Sequence, residues 1–258
     1  MIKSVALVGA GNVASQLCRI LKEKQVDVVG VYSLHPESRK KFGEQWQVPA
    51  LDSPSEVNDS EADLVIFAVN DNSVEAASAA ISSDIPAVHT SGSVPLAALS
   101  QKTRGVFYPL QTFSKEKTVD WKKVPLCIEG SDDAFEEKLL ELAHRISETV
   151  NKVDSEQRKF LHLSAVFACN FSNHMYAIAN ELMQEHNMDF EMLKPLILET
   201  AEKIGSLNPR EAQTGPAQRK DEKTMNAHLE LLAGSDNLRH LYGLISEQII
   251  ALQNGKKL

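Results

Sequence analysis

The first half of the chain alternates short apolar runs with amphipathic segments, a pattern typical of an α/β protein. Apolar runs at residues 5–8 and 27–33 are each followed by a segment suited to a helix. The run at 63–69 is unbroken after its first residue, as expected for a parallel strand that is buried on both faces. Further strands are predicted at 48–51, 86–92, 104–109, 124–129 and 149–153. Together these segments predict a doubly wound parallel sheet.

The second half of the chain, from residue 154 onward, shows only helical patterns. No Gly or Pro interrupts residues 155–186, so we predict a single helix there, roughly 45 Å long. Further helices are predicted at 190–204, 223–232 and 237–252. The long helix carries apolar side chains such as Phe160 and Phe167 on several sides. Two copies of the chain bury such a surface more easily than one, so we expect a homodimer through the C-terminal helices.

A glycine-rich turn joins the first strand to the first helix, with the sequence Val8-Gly-Ala-Gly-Asn-Val-Ala14. Gly9 allows a sharp turn, Gly11 lets a pyrophosphate approach the backbone, and Ala14 lets the helix pack closely on the strand. The N-terminus of the helix then faces the phosphates. We interpret the turn as part of a dinucleotide-binding Rossmann domain. The alternatives are a glycine turn in an ordinary α/β domain and the similar loop of a methyltransferase.

The fold class that follows is α/β, with an N-terminal Rossmann domain followed by an all-α domain. We place the dinucleotide-binding domain at 1–153 and the all-helical dimerisation and substrate domain at 154–258. In open α/β sheets, ligands lie beyond the carboxyl ends of the strands, so the loops at those ends define the predicted site.

The end of the second strand bears on the choice between NAD and NADP. An NAD-binding protein usually has an acidic residue there, whereas this chain has Ser33, with Arg39 and Lys40 further on. A hydroxyl and nearby cations suit a 2′-phosphate, so we predict NADP (NADPH), with NAD as the less favoured cofactor. Alternatively, Arg39 and Lys40 are solvated helix residues, and Glu37 is close enough to weaken the prediction.

The cofactor is expected to lie along the loops that follow four of the strands. Helix capping and turn formation are the alternative roles for Asn70 and Ser91. The residues predicted to bind the cofactor are Gly9, Ala10, Gly11, Asn12, Val13, Ser33, Val69, Asn70, Asp71, Thr90 and Ser91.

Candidates for catalysis are Asn170, His162 and Tyr108. A buried Asn170 amide would donate to a carbonyl oxygen and orient it for hydride attack. His162 and Tyr108 are candidate proton donors, although a buried histidine is more often a satisfied core residue. The residues predicted to contact substrate are His89, Gly92, Gln111, Thr112, Thr214, Gly215 and Arg219. For Arg219 the alternative is a structural salt bridge with Asp221.

The composition of the chain disfavours two classes of partner. The net charge of −8 disfavours nucleic acid and anionic membranes, because both attract clustered Lys and Arg. No apolar run approaches the ~20 residues of a membrane span. The three cysteines form no C-x-x-C pair, so we predict no disulfide framework and no metal site, which fits a cytoplasmic protein. A small-molecule substrate is the remaining expectation.

The layout and motifs of the chain resemble the 6-phosphogluconate dehydrogenase-like superfamily, and within it the putative NADP oxidoreductases. Those proteins have a Rossmann domain of the deazaflavin-dependent NADP oxidoreductase or pyrroline-5-carboxylate reductase type, followed by a domain of unknown function. The matching motifs are Val-Gly-Ala-Gly-Asn-Val-Ala (8–14), His-Thr-Ser-Gly (89–92), Pro-Leu-Gln-Thr-Phe (109–113), the helix with Asn170, and Thr-Gly-Pro (214–216) with Arg219, Asp221 and His228.

Two positions depart from the pattern of these relatives. Tyr108 stands where relatives often have His before Pro-Leu-Gln. Val166 stands where hydroxyisobutyrate-type dehydrogenases have a catalytic Lys, so a Lys-based proton relay is not carried over.

The resemblance implies an NADP(H)-dependent oxidoreductase that transfers a hydride between the nicotinamide and a small carbonyl, imine or hydroxy compound. The alternative is a catalytically silent NADP-binding regulatory or scaffold protein.

Overall fold

The computed structural model describes residues 1–114 and 117–255, and the chain divides into two compact units. The first unit comprises residues 1–172 and the second begins at Asn173. The predicted boundary between 153 and 154 coincides with the end of the sheet, whereas the compact units divide after a further helix. That predicted boundary stays a prediction.

The first unit is built on an eight-stranded sheet of order β3-β2-β1-β4-β5-β6-β7-β8. The strands are β1 (Ser4–Val8), β2 (Asp27–Tyr32), β3 (Ala50–Leu51), β4 (Leu64–Phe67), β5 (Ala87–His89), β6 (Arg104–Pro109), β7 (Leu126–Gly130) and β8 (Val150–Lys152). All neighbouring pairs are parallel except β6 and β7, so the predicted parallel sheet carries one antiparallel pair. The predicted doubly wound Rossmann fold is confirmed.

Helices cover both faces of this sheet. The helices of the first unit are α1 (Asn12–Glu23), α2 (Pro36–Trp46), α3 (Pro54–Asn58), α4 (Val74–Ala79), α5 (Asp133–Ile146) and α6 (Ser155–Ala165). Alternate residues of β1 point to opposite faces: Leu7 joins the core under α1 and α5, and Val8 joins the core under α3 and α4. Burial on both faces explains why these strands read as continuous apolar runs.

The turn after β1 has the geometry that its glycines predict. Gly9 has a φ of +115°, and a Cβ built there would lie 2.2 Å from the Ala68 carbonyl oxygen. Gly11 is the N-cap of α1, with a φ of −84° and no atom within 4 Å of a built Cβ. Gly9 is therefore required by the fold itself, whereas Gly11 leaves open space at the start of the helix.

The segment predicted as one helix over 155–186 is helical throughout but not uniform. α6 is followed by a π-helical segment at Val166–Phe171 and then by α7 (Ser172–Glu185). A π-helical turn holds one more residue than an α-helical turn, and such turns occur frequently at functional sites. The sequence shows no Gly or Pro that marks this change.

Within residues 173–255, the regular elements of the second unit are all helices. Short 3₁₀ turns aside, its helices after α7 are α8 (Lys194–Lys203), α9 (Pro209–Ala212), α10 (Pro216–Arg219), α11 (Glu222–Leu231) and α12 (Asp236–Gln253). The predicted helices at 190–204, 223–232 and 237–252 are confirmed with small shifts at their ends. The one-turn helices α9 and α10 were not predicted, because each is too short to show a helical period.

The two glycines should differ in how much they contribute to stability. Gly9→Ala forces a side chain into a left-handed conformation and against Ala68, so the free energy of unfolding should fall by about 2 kcal/mol or more. Gly11→Ala should lower it by less than about 1 kcal/mol, since only the N-cap preference changes. Urea unfolding of both variants measures the difference. Equal losses would contradict the geometry of the turn.

Candidate functional site

A cavity of about 520 Å³ lies in the first unit at the carboxyl ends of β1, β2 and β4. The glycine turn forms one wall, the end of β2 a second, and the start of α4 a third. Its lining residues are Val8, Gly9, Ala10, Gly11, Tyr32, Ser33, Leu34, His35, Ser38, Ala68, Val69, Asn70, Asn72, Ser73, Ala76, Ala77 and Ala80. The cavity reaches Gly11, the N-cap of α1, and backbone N–H groups at a helix N-terminus favour phosphate.

Some of the predicted cofactor residues line this cavity and others do not. Those that line it are Gly9, Ala10, Gly11, Ser33, Val69 and Asn70. Those outside it are Asn12, Val13, Asp71, Thr90 and Ser91. His35 and Ser38 also line the cavity and were not predicted. Their position just past Ser33, in the loop and first turn after β2, was the available signal.

The Asn12 side chain has a partner away from the cavity. Its Nδ2 donates to the Phe113 carbonyl at 3.0 Å. On the same helix, Gln16 Nε2 donates to the carbonyls of Ser114 and Lys117, at 2.7 and 3.0 Å. α1 therefore anchors the long loop after β6, and Asn12 belongs to that anchor.

Arg39 brings a positive charge to the end of β2. One guanidinium nitrogen donates to the Ser33 carbonyl at 3.1 Å and another to Asp52 at 2.7 Å. The Arg39 side chain is 14% exposed and that of Asp52 is 75% exposed, so the pair lies at the rim rather than in the core. Ser33, Ser38 and this anchored guanidinium are suited to bind a phosphate, with Asp52 offsetting part of the charge.

A second polar cluster lies at the end of β6. The Tyr108 hydroxyl and His162 Nδ1 are 3.2 Å apart, and the two rings meet edge to face with centroids 6.2 Å apart. Gly92 lies against both side chains, because a Cβ built there would be 2.6 Å from His162 Nδ1 and 2.8 Å from Tyr108 Cζ. The structure thus brings together three of the predicted site residues.

Burial sets the protonation state of Tyr108. It raises the pKa of the phenol to about 12, so the hydroxyl keeps its proton at neutral pH. The side chain of His162 is half-buried and in reach of water. The pair can pass a proton from solvent through the imidazole to the phenol, which is the chemistry of a general acid.

His89 was predicted to contact substrate; that contact stays a prediction, and within the first unit its side chain has other contacts. Its side chain is fully buried, and Nδ1 accepts a hydrogen bond from the Ser91 amide at 3.2 Å. Burial lowers its pKa to about 4, so the imidazole is neutral in the folded protein. In the unfolded chain the His89 imidazole has its ordinary pKa of about 6.5 and binds a proton more tightly than in the folded protein. The stability that His89 contributes at neutral pH is therefore lost as the pH falls from about 6.5 toward 4.

The loops after β4 and β5 hold each other in place. The Ser93 hydroxyl donates to the Asp71 carboxylate, which joins the two loops. Ser91 Oγ accepts from the amides of Ser93 and Val94, both at 3.1 Å. Asp71 and Ser91 therefore hold the loops after β4 and β5 together. The contacts of Ser91 are those expected of the alternative role, turn formation.

Asn170 lies in the π-helical segment and is exposed, not buried as the sequence led us to expect. The other helical residues around it are largely exposed as well, so the first unit gives its amide no enclosed site.

Gln111 and Thr112 lie in the loop after β6, where Gln111 Oε1 accepts from the Thr112 amide at 2.8 Å. Both are exposed.

The remaining predicted residues belong to the second unit. Thr214 lines an apolar cavity of about 270 Å³, Gly215 begins α10 with a φ of +106°, and Arg219 ends that helix. Asp221 caps α11 by accepting from the Thr224 amide at 3.1 Å. No ion pair within 4.0 Å joins Arg219 to Asp221 in the described part of the chain. Hydrogen bonds from Thr224 lower the pKa of Asp221 most, and the positive charge of Arg219 lowers it as well.

Two classes of site are not found in the described residues. Residues 1–114 and 117–255 contain no group of His, Cys, Asp and Glu side chains suited to hold a metal ion. No helix within those ranges is long and apolar enough to cross a membrane.

Comparison with protein families gives two matches. Residues 3–90 match the oxidoreductase family with an NAD-binding Rossmann fold, and residues 124–249 match a domain of unknown function, DUF2520. No curated protein matches the chain. Residues 3–90 therefore belong to an NAD(P)-binding Rossmann domain of oxidoreductase type.

Solved structures give the family. A putative NADP oxidoreductase from Bacteroides fragilis is 40% identical, with a TM-score of 0.89 over 96% of this chain and 98% of that one. This chain belongs to the same family of oxidoreductases, which confirms the resemblance drawn from its motifs. Two more distant structures share the fold: a Thermotoga maritima protein (18% identity, TM-score 0.81, 97% and 99% covered) and the Aspergillus terreus reductive aminase in complex with NADPH and ethyl levulinate (13% identity, TM-score 0.73, 99% and 95% covered).

The glycine turn predicts how nucleotide binding can be removed without unfolding the protein. Gly11→Asp puts a carboxylate where the pyrophosphate approaches the helix, so affinity for NADPH and NADH should be lost. The fold should be kept, because Asp is a favoured N-cap residue and space is open around Gly11. Fluorescence titration and thermal melts measure the two effects. Unchanged affinity in the folded variant would mean that the nucleotide binds elsewhere.

Proposed function

We propose that the protein is an NADPH-dependent reductase of a small carbonyl or imine compound. The observation that carries the proposal is the Tyr108–His162 pair at the carboxyl end of β6, on the same edge of the sheet as the glycine turn. In Rossmann domains a dinucleotide extends along this edge from the glycine turn across the neighbouring strands. The nicotinamide end would then lie toward Gly92 and Tyr108.

The residues of the cavity fit the rest of the cofactor. The turn at Gly9 to Gly11 would hold the pyrophosphate, and Ser33 with Ser38 would hold the adenosine ribose and its phosphate. When bound, the cofactor supplies the hydride. Orientation, exclusion of water and the proton are what the protein must contribute.

Tyr108 is suited to supply the proton. As hydride adds to the carbonyl or imine carbon, the electron pair of the double bond moves to the oxygen or nitrogen, which takes the proton from the Tyr108 hydroxyl. His162 then returns a proton to the phenolate through the existing hydrogen bond, and solvent reprotonates His162. A positioned acid of this kind contributes about 10²–10⁴-fold to turnover.

The silent NADP-binding protein stays the alternative because Val166 stands where related dehydrogenases have a catalytic Lys. The two functions differ in a simple measurement. A silent protein binds NADPH but does not oxidise it with any member of a panel of small ketones, aldehydes and imines. Ethyl levulinate, the compound in the Aspergillus terreus complex, belongs in that panel.

A homodimer through the C-terminal helices is part of the proposal. Within the described part of the second unit, the buried hydrophobic residues are only Met183 and Ala217. Exposed large hydrophobic residues there include Met192, Leu196, Leu198, Ile204 and Leu231. A helical unit that buries so little needs a partner surface.

Light scattering should give twice the chain mass of 28.5 kDa, and a mass of one chain at micromolar concentration would contradict the dimer.

The preference for NADPH is expected to depend on the end of β2. The protein should bind NADPH more tightly than NADH, because Ser33 leaves room for a 2′-phosphate and Arg39 is anchored beside it. Ser33→Asp should weaken NADPH binding about tenfold or more, equivalent to about 1.4 kcal/mol, and spare NADH. Ser83→Asp makes the same charge change at an exposed site away from the cavity and is the control. Equal affinities in the unmodified protein would overturn the assignment to NADP.

Tyr108→Phe is expected to keep the ring and lose the proton donor. Turnover should fall about 10²–10⁴-fold while NADPH affinity stays unchanged. His162→Gln should also lower turnover, whereas His144→Gln, on the exposed side of α5, should not. Because the pKa of Tyr108 is about 12, turnover should show no loss from its ionisation in the neutral range. Turnover at the original rate in Tyr108→Phe would exclude this residue as the acid.

A further inference from the structure

An ion pair joins α6 to β7 close to Tyr108, the proposed acid. Arg158 on α6 is 1% exposed and pairs with Glu129 on β7. Its other terminal nitrogen donates to the Val94 carbonyl at 2.6 Å and to Ser155 Oγ at 3.2 Å. Arg158 is thus shared between the sheet, the helix and the loop that follows β5.

Ser155 extends the same network to a second point of that loop. Its Oγ donates to Glu129 at 2.8 Å and accepts from the Leu96 amide at 3.1 Å. The loop from Gly92 to Leu96 is therefore held to α6 at Val94 and at Leu96. The loop is also joined to Asp71 by the Ser93 hydroxyl, and its first residue, Gly92, lies against Tyr108 and His162.

The helix fixes the direction of these groups. Ser155, Arg158 and His162 are separated by three and four residues, so they share one face of α6. A small shift of the loop would move Gly92 against the tyrosine and histidine rings, because no space remains for even one carbon atom there. The geometry of the Tyr108–His162 pair thus depends on how Arg158 and Ser155 hold the loop.

Stability alone is a weak reason for such a pair. Replacing a buried ion pair by apolar residues of similar volume is often neutral or stabilising. A guanidinium that donates simultaneously to a carboxylate and a backbone carbonyl sets geometry that an apolar side chain cannot set.

We propose that Arg158 is a positioning residue that, together with Glu129 and Ser155, holds the Gly92–Leu96 loop and thereby the Tyr108–His162 pair in the arrangement needed for proton transfer. The role of the pair in turnover rests on the proposed function, whereas the positioning itself does not. Arg158 touches neither substrate nor cofactor in this scheme and acts through the loop.

The charge of Arg158 has an additional consequence. Burial is the largest influence on the pKa of Tyr108 and raises it, and the positive charge of Arg158 acts in the opposite direction. The other ionisable groups that face the phenol are Cys127, Asp71 and His162. Removing Arg158 should therefore raise the pKa of Tyr108 further.

The first test uses the protein without ligand. In protein labelled with ¹³C on its histidine rings, Tyr108→Phe identifies the shift of the His162 signal when the phenol hydrogen bond is lost. Arg158→Met should move the His162 signal in the same direction. Lys159→Met removes an equal charge from the next residue, whose partner is Glu156 at the surface, and should leave the signal in place. A His162 signal unmoved in folded Arg158→Met overturns the proposal.

The second test uses turnover with whichever panel compound supports NADPH oxidation. Arg158→Met should lower kcat by on the order of 100-fold, the effect of a misplaced reacting group, without changing NADPH affinity. In a Tyr108→Phe background the same substitution should lower kcat no further, since Arg158 acts only through the pair. Additive losses would show a role in stability instead and overturn the proposal.

The outcomes separate the two claims. If Tyr108→Phe keeps full turnover, the proposed function loses its acid, and the histidine signals still decide the positioning. If Tyr108→Phe loses turnover and Arg158→Met does not, only the positioning is wrong. Should Arg158→Met fail to fold, Ser155→Ala and Glu129→Gln remove single contacts of the network, and both must shift the His162 signal.

Discussion

The parallel pairing of neighbouring strands is the constraint on which the rest of the first unit depends. Because β1 to β6 run in the same direction, all their carboxyl ends meet at one edge of the sheet. The glycine turn, the loop at Ser33 and Tyr108 lie far apart in sequence but share that edge for this reason alone. The close approach of Gly9 to Ala68 fixes the end of β1 beside the end of β4, in the middle of that edge.

The same constraint explains why the fold could be predicted from the sequence. A strand buried on both faces must be apolar throughout, as 63–69 shows, and a turn that approaches a neighbouring strand must use Gly9. The glycine turn and Ser33 were found because their chemistry is local. Tyr108 and Gly92 were found because they lie at the carboxyl ends of predicted strands.

Features that depend on tertiary packing were not predictable in the same way. Nothing in the sequence near His89 indicates that its ring is enclosed, since its burial depends on contacts distant along the chain. The π-helical turn before Ser172 has no Gly or Pro to mark it, and Asn170 within it is exposed. Arg158 was overlooked because an arginine on a helix is usually solvated, and its partners Val94 and Glu129 come from other elements.

The proposed function requires the nicotinamide to lie beside the Tyr108–His162 pair. It is tested most directly by determining the structure of the NADPH complex and measuring the distance from the nicotinamide C4 to the Tyr108 hydroxyl. We expect the adenosine end to occupy the cavity at Ser33, and C4 to face Tyr108 across a gap that a single carbonyl or imine group fills. A nicotinamide directed away from Gly92, or separated from Tyr108 by intervening side chains, would contradict it.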